Sequence, residues 1–146
     1  MKNMKLFLMA CLLVLLAACG SKPVPEEDKQ NGAPQVENEI PAEKAGVEAE
    51  LAIEEGNEEA KFTLKNSSDQ EAGTGTAYVL ERWTDGKWEK VNNNQMFTEQ
   101  MIMVKAGENY DQAIDLKDQE AGTYRVSKDF FMNEEKEKVA VVFDKK

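Results

Sequence analysis

The segment Trp83-Thr84-Asp85-Gly86-Lys87-Trp88 carries the clearest signal of local structure in this sequence. Asp-Gly at its centre is a preferred pair for the two-residue type I′ turn of a β-hairpin, in which both residues have positive φ. The turn predicts that the flanking strands pair antiparallel, and it fixes their register. The predicted partners are Thr84 with Lys87, Trp83 with Trp88, Arg82 with Glu89, Glu81 with Lys90, and Leu80 with Val91.

This register brings together one aromatic pair and two pairs of opposite charge, each contributing about 0.2–1 kcal/mol. It also places Trp83 and Trp88 on the face opposite Leu80 and Val91, and therefore outside the main core. We expect this pair to be either an exposed aromatic surface that binds a glycan or protein, or a cross-strand contact that stabilises the hairpin.

Alternating apolar and polar residues predict further strands on both sides of the hairpin. The segment from Val47 to Ile53 has an apolar residue at every second position, which is typical of a strand with one buried face. Turn residues recur at intervals of about 8–12 residues, which favours a β-sandwich or barrel of about 7–8 antiparallel strands. We expect a solvated loop at 133–138. The other predicted strands are 47–53, 60–64, 75–83, 97–104, 110–116, 122–131 and 138–144.

Ala121-Gly122-Thr123-Tyr124-Arg125-Val126, after the polar stretch 115–120, resembles the tyrosine corner of immunoglobulin-like (Ig-like) domains. Together with the hairpin and the order of the other strands, it makes residues 46–146 similar to a bacterial Ig-like domain. The resemblance implies an Ig-like β-sandwich in which Tyr124 bonds back to upstream backbone. The cysteine pair of antibody domains is missing, and Val126 stands where the second cysteine would be.

The N-terminus has the pattern of a secretory signal, with Lys2 and Lys5 before an uncharged run that ends at Cys19. The run is shorter than the ~20 residues of a membrane-spanning helix. Leu16-Ala17-Ala18-Cys19 resembles the lipobox of bacterial lipoproteins. The resemblance implies a signal peptide at 1–18, cleavage between Ala18 and Cys19, and acylation of Cys19. A plain secretory signal and a short anchor helix are the alternatives.

Residues 19–45 have the composition of a disordered linker. They contain all four prolines and many acidic and amide residues, while their few apolar residues have no period. A coil of this length reaches roughly 25–30 Å. We therefore predict a spacer between the membrane and a domain that occupies residues 46–146.

Composition excludes several kinds of function. The net charge of −10 makes nucleic acid and anionic lipid head groups unfavourable partners. The chain has no histidine, and if Cys11 leaves with the signal and Cys19 is acylated, the domain has no thiol. The commonest general base is therefore missing, and no nucleophile elbow or Gly-rich phosphate loop occurs, so we predict a protein that is not an enzyme and has no cofactor.

Two metal sites are conceivable, and we expect neither. Thioether sulfur suits copper(I), but Met101 and Met103 alternate with apolar residues, so we expect them to pack in the core, as we do for Met96 and Met132. Acidic residues around one turn could bind calcium weakly, yet a solvated face is the simpler interpretation. These residues are Asp111, Asp115, Asp118 and Glu120.

The sequence therefore predicts a lipoprotein on the extracytoplasmic face of a cell membrane. Its partners are the membrane lipid, through acylated Cys19, and an unknown protein or glycan of the cell envelope. We expect its Ig-like domain to act as a non-catalytic binding or structural module. A proteinase inhibitor at the cell surface is the alternative.

Overall fold

The computed structural model describes residues 38–91, 93 and 95–146. These residues form ten β-strands and no helix. Among them, no helix has the length and apolar character required to cross a membrane. The strands are β1 (Glu43–Lys44), β2 (Val47–Ile53), β3 (Glu59–Asn66), β4 (Ala72–Thr74), β5 (Val79–Thr84), β6 (Lys87–Lys90), β7 (Ile102–Val104), β8 (Asn109–Asp115), β9 (Gly122–Met132) and β10 (Glu135–Lys145).

The strands build two antiparallel sheets, which confirms the predicted sandwich. The four-stranded sheet has the order β1-β2-β3-β8. The six-stranded sheet has the order β6-β5-β9-β4-β7, and β10 also pairs with β9. Strand β9 is the centre of this second sheet, because β5 and β4 pair with different parts of it and β10 pairs along its whole length.

The core lies between the inner faces of the two sheets. Every second residue of β3 is buried, as the alternation predicts, and Phe62 and Leu64 have no exposed surface. Val126 and Phe130 of β9 face them from the six-stranded sheet and are also fully buried. Burial of apolar surface, at roughly 25 cal/mol per Å², therefore stabilises the association of the sheets.

The predicted hairpin register is confirmed. Trp83 pairs with Trp88, and the three predicted pairs nearest to it are also present. The backbone N–H of Val91 donates to the carbonyl of Leu80 at 2.8 Å, which continues the register beyond the strand ends. Asp85 and Gly86 have φ values of 52° and 80°, as a type I′ turn requires.

Two strand predictions were too long. The predicted strand 75–83 is β5 only, and the short strand β4 precedes it at Ala72–Thr74. The predicted strand 97–104 is reduced to β7 at Ile102–Val104. Both differences have the same cause: β4 and β7 pair with each other, so the partner, and not the local sequence, decides which residues are extended.

The solvated loop predicted at 133–138 was also wrong. Asn133 and Glu134 form a two-residue turn with φ values of 50° and 67°, and β10 begins directly after it at Glu135. Asparagine tolerates this left-handed conformation, whereas glutamate adopts it rarely. The turn therefore has a weak signature in the sequence, although the pairing of β9 with β10 enforces it.

The ordered chain begins before residue 46. Strand β1 lies inside the segment predicted as linker, of which the structure describes residues 38–45, whereas residues 19–37 lie outside the described part of the chain. The carbonyl of Pro41 accepts a bond from the N–H of Ala140 at 3.0 Å, and that of Ala42 from Ala49 at 2.7 Å. Because these contacts use backbone carbonyl groups, which every residue type has, the proline-rich composition of the segment gives no indication of them.

A buried asparagine joins the two sheets at the end of β3. Asn66 is 2% exposed, and its Nδ2 donates to the carbonyls of Gln70 at 2.7 Å and Val104 at 2.8 Å. Its Oδ1 accepts bonds from the backbone N–H and the hydroxyl of Ser68. Because Val104 belongs to β7, Asn66 fixes the turn at 67–70 and connects the sheets.

Candidate functional site

Trp83 and Trp88 form a contact on the outer face of the six-stranded sheet. Their ring centroids are 5.2 Å apart and the ring planes meet at 68°, an edge-to-face arrangement. Both side chains are half-buried. The structure therefore brings the two predicted residues together outside the core and leaves part of each ring accessible.

Arg125 fixes the position of this pair. Its guanidinium carbon lies 4.5 Å from the centroid of a Trp88 ring. Its Nε and Nη2 contact one carboxylate oxygen of Glu81 at 2.7 and 2.6 Å. Arg125 is only 7% exposed, so its charge is largely shielded from water and held by Glu81.

The charge pairs expected from the hairpin register therefore change partners. Glu81 faces Lys90 in the register but binds Arg125 of β9. Arg82 faces Glu89 but binds Glu120 at 2.9 Å. The sequence identifies the register correctly, yet neighbouring strands supply the closer charged groups.

Tyr124 makes the contact expected of a tyrosine corner. Its hydroxyl donates to the carbonyl of Glu120 at 2.6 Å, and its ring has no exposed surface. Burial raises the pKa of Tyr124, which keeps the hydroxyl protonated as a donor. Arg82 donates to the carbonyl of Ala121 at 3.0 Å, and Lys145 donates to the carbonyls of Leu116 and Gln119. These bonds attach the segment 116–121 to β5, β9 and β10, so the segment has a structural role.

The prediction that the methionines pack in the core was wrong for three of them. Met96, Met101 and Met103 are 95%, 61% and 51% exposed. A Cβ placed on Gly73 would lie 3.0 Å from the sulfur of Met101 and 3.5 Å from that of Met103. The two side chains cover Gly73 on the outer face, where no other strand of the described residues packs against β7. Met132 packs against the core as expected.

The acidic residues considered for calcium do not converge. Asp111 contacts Lys61 at 3.0 Å and accepts a bond from the Thr63 hydroxyl, and these contacts hold the pKa of Asp111 below its ordinary value. Glu120 contacts Arg82, and Asp115 accepts the backbone N–H of Lys117. Over the described part of the chain, no group of three or more His, Cys, Asp or Glu residues could hold a metal ion.

Sequence reasoning missed a buried lysine between the sheets. Lys128 lies on the inner face of β9 and is 1% exposed. Its Nζ donates to the carbonyl of Ala77 at 3.1 Å and to Oε1 of Gln112 at 2.8 Å. The sequence could have indicated this burial, because Lys128 shares the two-residue alternation of Tyr124, Val126 and Phe130 and therefore lies on the core face of β9.

The lipidation residue Cys19 and the cleavage position after Ala18 lie outside the described residues, as does most of the linker. They stay predictions.

Comparison with protein families gives one match. A family model described as a bacterial Ig-like domain matches residues 42–144, more than half of the chain. Comparison with curated proteins found no match.

Proposed function

This chain belongs to the bacterial Ig-like domain family, and we propose that it is a lipid-anchored protein of the extracytoplasmic membrane face whose domain binds an envelope partner without catalysis. Domains of this kind act as binding or structural modules, and their specificity lies in surface features and not in the fold itself. The aromatic surface formed by Trp83 and Trp88 is the feature that supports binding best.

The observation that carries this proposal is the fixed position of the aromatic pair. Arg125 stacks on Trp88 while Glu81 holds the guanidinium, so the surface loses little side-chain entropy when a partner binds. Tryptophan and arginine are also the residues most enriched in the energetically dominant parts of interfaces. If the tryptophan pair only stabilised the hairpin, contacts within the hairpin would be sufficient, and Arg125 of β9 would not be required to hold Trp88 in place.

The membrane anchor is supported by the sequence Leu16-Ala17-Ala18-Cys19. Each buried methylene of an acyl chain contributes about 0.8 kcal/mol, and two or more chains give a stable anchor. The thiol of Cys19 is the one good nucleophile at the end of the apolar run, which suits transfer of a diacylglyceryl group to its sulfur. The domain would then be confined to the membrane surface, where a weak partner is met at high local concentration.

Replacement of Trp83 by alanine tests the binding surface. We expect the variant to remain folded, because a cross-strand aromatic pair contributes only about 0.2–1 kcal/mol. It should lose an envelope partner that the wild-type protein captures in a pull-down from envelope extract. Phe131→Ala, on the same outer face, is the control and should retain the partner. If Trp83→Ala unfolds the domain, or if it captures the same partner equally well, the surface is structural.

Replacement of Cys19 by serine tests the anchor. The precursor should take up no labelled palmitate and should lose stable membrane attachment after fractionation. Cys11→Ser is the matched control, because it removes the other thiol of the apolar run and should leave lipidation unchanged. A Cys19→Ser protein that still fractionates with the membrane would show that the uncleaved N-terminal apolar segment itself is the anchor.

A further inference from the structure

A second concave surface lies beyond the end of the hairpin, away from the aromatic pair. It has a volume of about 370 Å³, within the range of about 300–1,000 Å³ typical of small-molecule sites. Tyr78, Leu80 and Val91 form its floor, and the side chains of Asn93, Gln95 and Phe97 surround it. The floor belongs to the core of the sandwich, so the shape of the pocket is fixed by the fold.

One buried hydroxyl lies beside both amides of this pocket. Nδ2 of Asn93 donates to the hydroxyl of Tyr78 at 3.2 Å, and the amide of Gln95 lies near enough to the same hydroxyl to lower its pKa. Burial outweighs this effect and raises the pKa of Tyr78 to about 12, so the phenol stays neutral at any physiological pH. A primary amide has two donors and an accepting oxygen, so the bond to Tyr78 leaves the Asn93 amide able to bind a ligand, and the Gln95 amide offers the same groups.

Phe97 provides an aromatic wall at the pocket mouth. Its ring centroid lies 5.1 Å from that of Tyr78, with the ring planes at 68°, and its side chain remains 38% exposed. The contact with Tyr78 holds the ring in place, and the exposed part can cover an apolar ligand surface.

This combination fits a sugar better than an apolar or an ionic ligand. Sugar hydroxyls both donate and accept hydrogen bonds, as the two amides do, and the C–H face of a pyranose is apolar enough to pack on Phe97. Val91, which is half-buried above the core residue Leu80, adds an apolar surface that suits a methyl group. Lys90 borders the pocket, but no carboxylate is among its described lining residues.

We propose that this pocket binds an N-acetylhexosamine unit of a glycan, with the acetamido methyl on Val91 and the pyranose face on Phe97. The amides of Asn93 and Gln95 bind the hydroxyl and acetamido groups. At the affinity usual per atom for ligands of this size, one such unit binds with a Kd on the order of 1 mM.

Saturation-transfer NMR on the full chain in a sugar-free detergent tests this proposal, with the disaccharide of N-acetylglucosamine as the probe. We expect transfer to the acetamido methyl protons for the wild-type protein. Phe97→Ala should weaken binding about ten-fold or more. Phe131→Ala is the matched control, because Phe131 is 39% exposed but lies on the outer face, and it should bind as the wild type does.

Measurements on the wild-type protein keep the test decisive even if Phe97→Ala does not fold. Glucose and glucuronate, which lack the acetamido group, should compete at least ten-fold more weakly than N-acetylglucosamine. No saturation transfer from the wild-type protein would overturn the proposal. Equal competition by glucose or glucuronate, or an equal loss in both phenylalanine variants, would also overturn it.

Discussion

Lys128 lets the stability of this domain be predicted as a function of pH. The lysine is enclosed between the sheets, and its Nζ lies 5.4 Å from the centroid of the Tyr110 ring. Burial lowers its pKa from 10.5 to about 8, and the nearby Asp129 opposes this shift only in part. A neutral amine still has two N–H donors, so deprotonation preserves the bonds to Ala77 and Gln112.

The sign and the size of the effect follow from proton linkage. Between pH 8 and 10.5 the unfolded lysine carries a proton that the folded one has released, so the free energy of unfolding rises with pH in this range. The slope approaches 1.36 kcal/mol per pH unit above pH 8, and the rise from pH 7 to 9.5 amounts to about 2 kcal/mol. Above pH 10 this rise is opposed by Tyr78. The pKa of Tyr78 is higher in the folded protein than in the unfolded chain, so the tyrosine ionises first in the unfolded chain, and this lowers the free energy of unfolding.

Urea unfolding followed by tryptophan fluorescence between pH 7 and 9.5 measures this rise. With a typical slope of about 1–3 kcal/mol per molar urea, the midpoint should move upward by about 1 M. Lys128→Met should abolish the rise, whereas Lys105→Met, at an exposed loop position, should preserve it. The comparison rests on how the urea midpoint of each variant changes with pH. The absolute stability of Lys128→Met does not decide the question, because methionine removes a buried charge but leaves two hydrogen-bond acceptors unpaired.

Two results would refute this reasoning. A wild-type midpoint that stays constant or falls between pH 7 and 9.5 would mean that the folded lysine keeps its ordinary pKa. A rise of equal size in Lys128→Met would assign the effect to other groups.

Two further predictions concern polar contacts that fix the loops. Tyr124→Phe removes the 2.6 Å bond to the carbonyl of Glu120 and should lower the free energy of unfolding by about 1–2 kcal/mol, which corresponds to a fall in melting temperature of about 5–10 °C. An unchanged melting temperature would show that the tyrosine corner does not stabilise the fold. Asn66→Ala leaves several buried groups unpaired and should cost about 3 kcal/mol or more in urea unfolding, and a loss below about 1 kcal/mol would contradict the inter-sheet role of this residue.

Local signals in the sequence were sufficient for the parts of the fold that local geometry controls. Asp85-Gly86 fixes the turn type and with it every pair of the hairpin, and period-two alternation identifies β2 and β3 because one face of each is buried. Tyr124 was identifiable because its position in an Ig-like pattern implies a specific backbone contact.

The remaining features depend on partners distant in the sequence. Strands β4 and β5 pair with different parts of the same edge of β9, and no local property of 72–84 encodes the break between them. Met103 alternates like a core residue, yet its side chain points away from the sandwich and is exposed. The tryptophan pair was predictable, but the role of Arg125 depends on the adjacency of β5 and β9. The anchor at Cys19 and the proteinase-inhibitor alternative stay predictions.

The central position of β9 has a consequence for the order of folding. Its partner β10 is the last strand and contributes Val139, Val141 and Phe143 to the core or its border. The six-stranded sheet therefore cannot be completed until β10 is available, and contacts between early and late parts of the chain slow the search for the native topology. All strands of the four-stranded sheet, by contrast, have been synthesised once Asp115 has been added, so during synthesis the six-stranded sheet is the later of the two to be completed.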